Sequence, residues 1–223
     1  MNEAENRRWG RRGIVVLILL ATGSLLRAEE APPVVSEAAR NGLQAMLRRI
    51  PPGDEARYGF APEDTPSQAD LGRPYQLRVI GNAALTERST ATNLDNLASP
   101  TGAWLFPVTV GGKNACILTV GKIEDKWQAV GIGKADLARE LGRVARQWGS
   151  KPIHLIAVPA VRGYFFSVQE RKTANLTPLS FAPSDRESRR GEKYSELAGL
   201  EETLSGLRRW SGVSPAQAAG EVK

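Results

Sequence analysis

The stretch from residue 104 to 132 constrains the fold most. Three apolar runs, Trp104 to Val110, Ala115 to Val120 and Lys126 to Ile132, are separated only by Gly111-Gly112-Lys113-Asn114 and by Gly121 to Asp125. Connections this short join antiparallel neighbours, because a parallel pair needs a crossover of a dozen or more residues. The three runs therefore predict an antiparallel meander. Pro107 has no amide hydrogen to give a ladder, which predicts a sheet edge or a bulge at that position.

The flanking patterns supply the rest of a sheet and its helices. From Val35 to Ile50, Ala39, Leu43, Met46, Leu47 and Ile50 recur at steps of three and four, which predicts an amphipathic helix with Ser36 as its N-cap. Pro51-Pro52-Gly53 ends it, and residues 51 to 74 read as a long loop. Tyr75, Leu77 and Val79 alternate with polar residues, as in a half-buried strand. Residues 134 to 148 place Leu137, Leu141, Val144 and Trp148 on one helical face and Arg139, Arg143 and Arg146 away from it. Ile153 to Val158 and Tyr164 to Val168 read as a hairpin, and Tyr194, Leu197, Leu200, Leu204, Leu207 and Trp210 as a third helix. The sum predicts the α+β class, a mainly antiparallel five- or six-stranded sheet with helices packed on one face. The order of helix then meander resembles the layout of cystatin-like envelope domains, and no residue is carried over from that likeness.

The N-terminus speaks to location. Arg7, Arg8, Arg11 and Arg12 precede an apolar run from Ile14 that weakens after Ala21 and ends at Leu26. A basic stretch ahead of a short apolar run is the layout of a secretory signal, and this run falls short of the roughly 20 residues of a membrane-spanning helix. Residues 1–28 are read as a signal peptide or N-terminal anchor, 29–34 as a tether, 35–169 as the α+β domain, 170–193 as a polar linker, 194–210 as an amphipathic C-terminal helix and 211–223 as a flexible tail. The expected location is periplasmic or extracellular, with tethering to the inner membrane by residues 14–26 as the alternative. The formal charge of +6 is halved without the first 28 residues, which hold five arginines and two glutamates. A net +3 does not call for nucleic acid, and export disfavours it further.

Cys116 is the only cysteine, which excludes an internal disulfide and a cysteine-based zinc cluster. It lies in the apolar run Ala115 to Leu118, where burial as a small hydrophobe is expected. A Cys/His hydrolase would need Cys116 beside the single histidine, His154, and a mid-strand thiol lacks the helix terminus or imidazolium that stabilises a thiolate. Gly131-Ile132-Gly133-Lys134 lacks the spacing of a nucleotide-binding loop and reads as a turn from strand into helix. Glu124-Asp125 and Glu201-Glu202 are adjacent pairs whose side chains diverge, so neither makes an acid/base or metal site by itself. Neither a Gly-x-Ser-x-Gly elbow nor a metal-ligand spacing occurs. The sequon Asn175-Leu176-Thr177 matters only in a eukaryotic secretory route.

No catalytic, cofactor or metal residue is expected. The reading that remains is an exported non-enzymatic binding or adaptor domain in the cell envelope, with a protein or envelope component as partner and membrane contact only through an uncleaved N-terminal segment. Its expected surface is an aromatic sheet face with Trp104, Phe106, Tyr164 and Phe166, together with Leu200 and Leu207 of the terminal helix. The alternatives are a secreted hydrolase or other enzyme with an unrecognised site, and a structural or assembly component of an envelope complex.

Overall fold

The predicted meander forms, with turns tighter than the spacers suggest. A computed structural model describes residues 30–86, 94, 97–169, 174–179 and 197–211. The segments expected to be the signal and, in most part, the polar linker and the C-terminal tail lie outside the described residues. Strands β3 (Ser99–Val110), β4 (Lys113–Ile123) and β5 (Lys126–Gly133) pair antiparallel in sequence. Val110 faces Lys113 across a two-residue loop, Gly111-Gly112, in which both residues have positive φ (55° and 75°). Ile123 faces Lys126 across Glu124-Asp125, also at positive φ (48° and 61°). Both loops have the backbone twist that suits two-residue hairpins, but only the first uses the residue type that adopts it without cost.

The complete sheet is larger than expected. It runs β5-β4-β3-β2-β6-β7-β8, where β2 is Tyr75–Val79, β6 Ile153–Val158, β7 Gly163–Val168 and β8 Thr177–Pro178, and a short β1 (Asp70–Leu71) lies beside the end of β3. All pairings are antiparallel except β2 with β6, which is parallel. Strand β3 begins five residues before the apolar run because a polar segment is bulged into it. Gln76 pairs with Trp104 while Arg78 pairs with Pro100, so β3 carries extra residues there, Gly102 at positive φ among them. The hydroxyl of Thr101 donates to the Leu77 carbonyl at 2.8 Å and holds the bulge.

Pro107 lies in neither an edge strand nor a bulge. Its strand is flanked by β4 on one side and by the β1 end on the other, where the Gly72 amide donates to the Pro107 carbonyl at 2.7 Å. In a strand the N–H and C=O of one residue point to the same side, so the missing hydrogen of Pro107 faces the break between β1 and β2. The ladder loses nothing there.

Four α-helices are present among the described residues: α1 (Pro33–Leu47), α2 (Asn82–Thr86), α3 (Ala135–Trp148) and α4 (Leu200–Trp210). Helix α1 starts two residues before the expected bound. Pro32 and Pro33 open it, since the first-turn amide has no helical partner to lose, and Ser36 makes no cap. Helix α4 places Glu201 and Glu202 in its first turn and Arg208 and Arg209 in its last, matching the helix dipole. The Arg208 Nε donates to the Leu85 carbonyl at 3.1 Å and ties α4 to α2.

The helices do not share one face, contrary to expectation. Side chains alternate along a strand, so neighbouring residues report opposite faces. Trp104, Phe106 and Val108 with Cys116, Leu118 and Val120 pack under α1. Leu105 and Ile117, with Leu155, Phe166 and Val168, pack under Leu137, Leu141 and Val144 of α3. Ile156, Val158 and Phe165, on the α1 side of the sheet, pack against Leu200, Leu204 and Leu207 of α4. Continuous apolar runs such as Ala115 to Leu118 are the mark of strands covered on both faces. Residues 174–179, inside the expected linker, also pack. Leu176 and Leu179 are buried, and the Asn175 amide pairs with both backbone groups of Val168 at 2.9 and 2.7 Å. The sequon asparagine is thus a buried latch on β7.

Candidate functional site

The aromatic surface expected from the sequence is core at most of its positions. Trp104 and Phe106 are 4% and 3% exposed under α1, Phe166 is fully buried under α3, and Leu200 and Leu207 form the buried face of α4, packed against Ile156, Val158 and Phe165. Only Tyr164 stays half-buried, and its hydroxyl receives the Lys134 ammonium at 2.5 Å. Lys134 stands in the left-handed region (φ 56°) between β5 and α3, so the Gly131 to Lys134 segment acts as the turn from strand to helix.

The Cys/His pairing fails on geometry. Cys116 on β4 and His154 on β6 are separated by β3 and β2, three strand spacings or roughly 14 Å across the sheet, and the register sets His154 in line with Val120, further along β4 than Cys116. Burial drives the Cys116 thiol up to about 12, so it is held neutral and unreactive. His154 faces Ser167 across the β6–β7 pair, the one juxtaposition of a hydroxyl with the imidazole that the sheet register creates. Ser167 is 4% exposed, however, which closes it to a substrate carbonyl. Among the described residues no group of three or more His, Cys, Asp or Glu side chains is arranged to hold a metal ion. Within the same residues no helix is long and apolar enough to cross a membrane.

What the fold does assemble is a basic cleft beside α3. The sequence places Arg139, Arg143 and Arg146 opposite the buried Leu137, Leu141 and Val144, so the three arginines follow the outer side of the helix. The β3–β4 turn brings Lys113 and Asn114 to them, and the loop after the 3₁₀ turn Glu55–Tyr58 brings Gly59, Ala61 and Asp64. The cleft is open to solvent, has a volume of about 420 Å³ and is lined by four cations and one carboxylate. A helix inspected alone shows a solvated arginine strip. Lys113 lies 26 residues from Arg139 in sequence, and only the hairpin's position over α3 brings them together.

Three contacts hold these walls. The Asn114 side-chain amide donates to the Ala138 carbonyl at 3.0 Å, fixing the hairpin to the helix. A Cβ on Gly142 would stand 3.2 Å from that amide nitrogen and 3.7 Å from the Arg146 Nη1, so the glycine leaves room for both. A Cβ on Gly59, at φ 84°, would stand 2.3 Å from the Ala115 carbonyl oxygen, so only glycine lets the loop lie this close to β4. Asp64 turns back to its own loop, accepting from the Ala61 amide at 2.7 Å.

The cations differ in how they are held. Arg143 pairs with Glu140, which is 4% exposed, at 2.6 Å, and Arg139 pairs with Asp136. Each carboxylate engages one guanidinium nitrogen, and a guanidinium has five N–H donors, so donors remain for a ligand. Lys113 and Arg146 are exposed and make no ion pair among the described residues. The arrangement can neutralise and orient an anion. It brings no nucleophile and base together.

No family model, no curated protein and no solved structure matches the chain.

Proposed function

We propose that the chain is an exported, non-enzymatic binding domain of the cell envelope, and that its ligand is an anionic envelope component seated in the cleft between α3 and the β3–β4 turn. Export rests on the arginine cluster and short apolar run of residues 7 to 26. Binding rests on one observation. Lys113, Arg139, Arg143 and Arg146, drawn from two separate parts of the chain, line one concavity with Asp64, and with Arg139 paired to Asp136 and Arg143 to Glu140, Lys113 and Arg146 carry charge that no ion pair among the described residues offsets. Convergent cations in a concave site raise the local concentration of anions and orient them.

The test is capture from an envelope fraction by the purified protein and by an R139Q/R143Q/R146Q variant. A stoichiometric partner retained by the first and lost by the second supports the reading. A partner retained by both removes the cleft as the site, and turnover in a broad hydrolase screen favours an enzyme instead. N-terminal sequencing of the exported protein tests the signal segment.

A further inference from the structure

The proposed reading of the cleft as an anion site is the basis for a narrower one: we infer that it takes a phosphate-bearing ligand with two anionic centres set along α3. Arg139, Arg143 and Arg146 are four and three residues apart, which spreads their origins over about 10 Å of helix at 1.5 Å per residue. One phosphate engages one or two guanidinium forks, so a row of that length with Lys113 across the cleft suits two anionic groups rather than one.

Arginine is also the residue type that phosphate geometry favours. Its planar fork gives two parallel N–H bonds to two oxygens, where a lysine offers a point charge. Glu140, buried beside Arg143 at 2.6 Å, holds that fork in place before a ligand arrives, which lowers the ordering cost of binding. Gly142 clears the surface between Arg139, Arg143 and Arg146 for the Arg146 head. The cleft volume of about 420 Å³ falls within the usual range of small-molecule sites. The two phosphates belong either to a small soluble diphosphate or to anionic lipid headgroups at the membrane surface.

The experiment titrates the exported protein with pyrophosphate and with inorganic phosphate by calorimetry, and co-sediments it with phosphatidylglycerol and phosphatidylcholine vesicles. Circular dichroism confirms that R143Q/R146Q and K113Q are folded. The expected result is tighter binding of pyrophosphate than of phosphate, weakened about tenfold or more in both variants. Pyrophosphate binding without vesicle binding assigns a soluble source. Binding of phosphatidylglycerol vesicles, lost in the variants and absent with phosphatidylcholine, assigns the headgroup. Failure of both probes, or equal binding by the variants, overturns the inference. If an envelope partner is nevertheless captured by the wild type and lost with R139Q/R143Q/R146Q, the broader proposal stands and only the phosphate assignment falls.

Discussion

The side-chain amide of Asn114 donates to the backbone carbonyl of Ala138 at 3.0 Å, joining the β3–β4 hairpin to α3 across the floor of the basic cleft. This bond decides where Lys113 stands relative to the arginine row. Asn114→Ala removes one half-buried hydrogen bond, and we expect a loss of about 1 kcal/mol in urea unfolding. Weaker anion binding should accompany it, because the wall that carries Lys113 is no longer tied down. A stability loss with unchanged binding would make Asn114 a purely structural contact.

The two glycines Gly53 and Gly59 have nearly the same φ, 88° and 84°, and differ in surroundings. A Cβ on Gly53 meets nothing within 4 Å, while on Gly59 it collides with the Ala115 carbonyl. Gly53→Ala should cost about 1 kcal/mol for the left-handed backbone alone. Gly59→Ala should cost clearly more, and the difference between the two midpoints measures the collision. Equal costs would mean that the loop moves away from β4 freely.

Much of this architecture is legible in the sequence, and the parts that are not share a cause. The meander, the hairpin of β6 and β7 and the three long helices follow from periodicities within ten to sixteen residues. Assigning helices to faces needs the parity of every strand at once, and the one-residue bulges at Ala115 in β4 and Val130 in β5 shift that parity inside runs that read as unbroken strands. The same limit hides the cleft. Arg139, Arg143 and Arg146 are visible as a row, but Lys113, Asn114 and Gly59 join them only through tertiary placement. The aromatics mislead for a related reason. A strand with large residues on both faces signals a sheet covered on both sides as readily as an exposed binding face, and Trp104, Phe106 and Phe166 belong to the former.

Alkaline pH should destabilise the fold through two buried acids. Burial raises the Cys116 thiol from 9.0 to about 12, so its neutral form is favoured in the folded state. That contribution is complete below pH 9 and is lost as pH rises from 9 toward 12, at a slope of up to roughly 1.4 kcal/mol per pH unit. Burial also raises the Tyr75 phenol above 10, with Arg73 opposing, and adds a second loss beginning higher. Urea titrations from pH 8 to 11 should therefore show falling midpoints, with a shallower fall in Cys116→Ala. An identical slope in that variant would show that the thiol does not contribute.

Helix α4 belongs to the fold, with Leu204 fully buried against the cluster of Ile156 and Phe165. Leu204→Ala should cost about 2–5 kcal/mol, the range for a buried leucine that leaves a cavity. A change below about 0.5 kcal/mol, the scale of surface substitutions, would mean that the helix is docked loosely enough to leave.

Backbone amide NMR of the purified protein during a pyrophosphate titration reads occupancy of the cleft residue by residue. Saturable shifts confined to Lys113, Asn114, Gly59 and the helix from Arg139 to Arg146, absent in R139Q/R143Q/R146Q, are the expected result. Shifts centred elsewhere, such as on Arg40 and Asp70 in the groove between α1 and β1, would contradict it, as would no saturable shift at all.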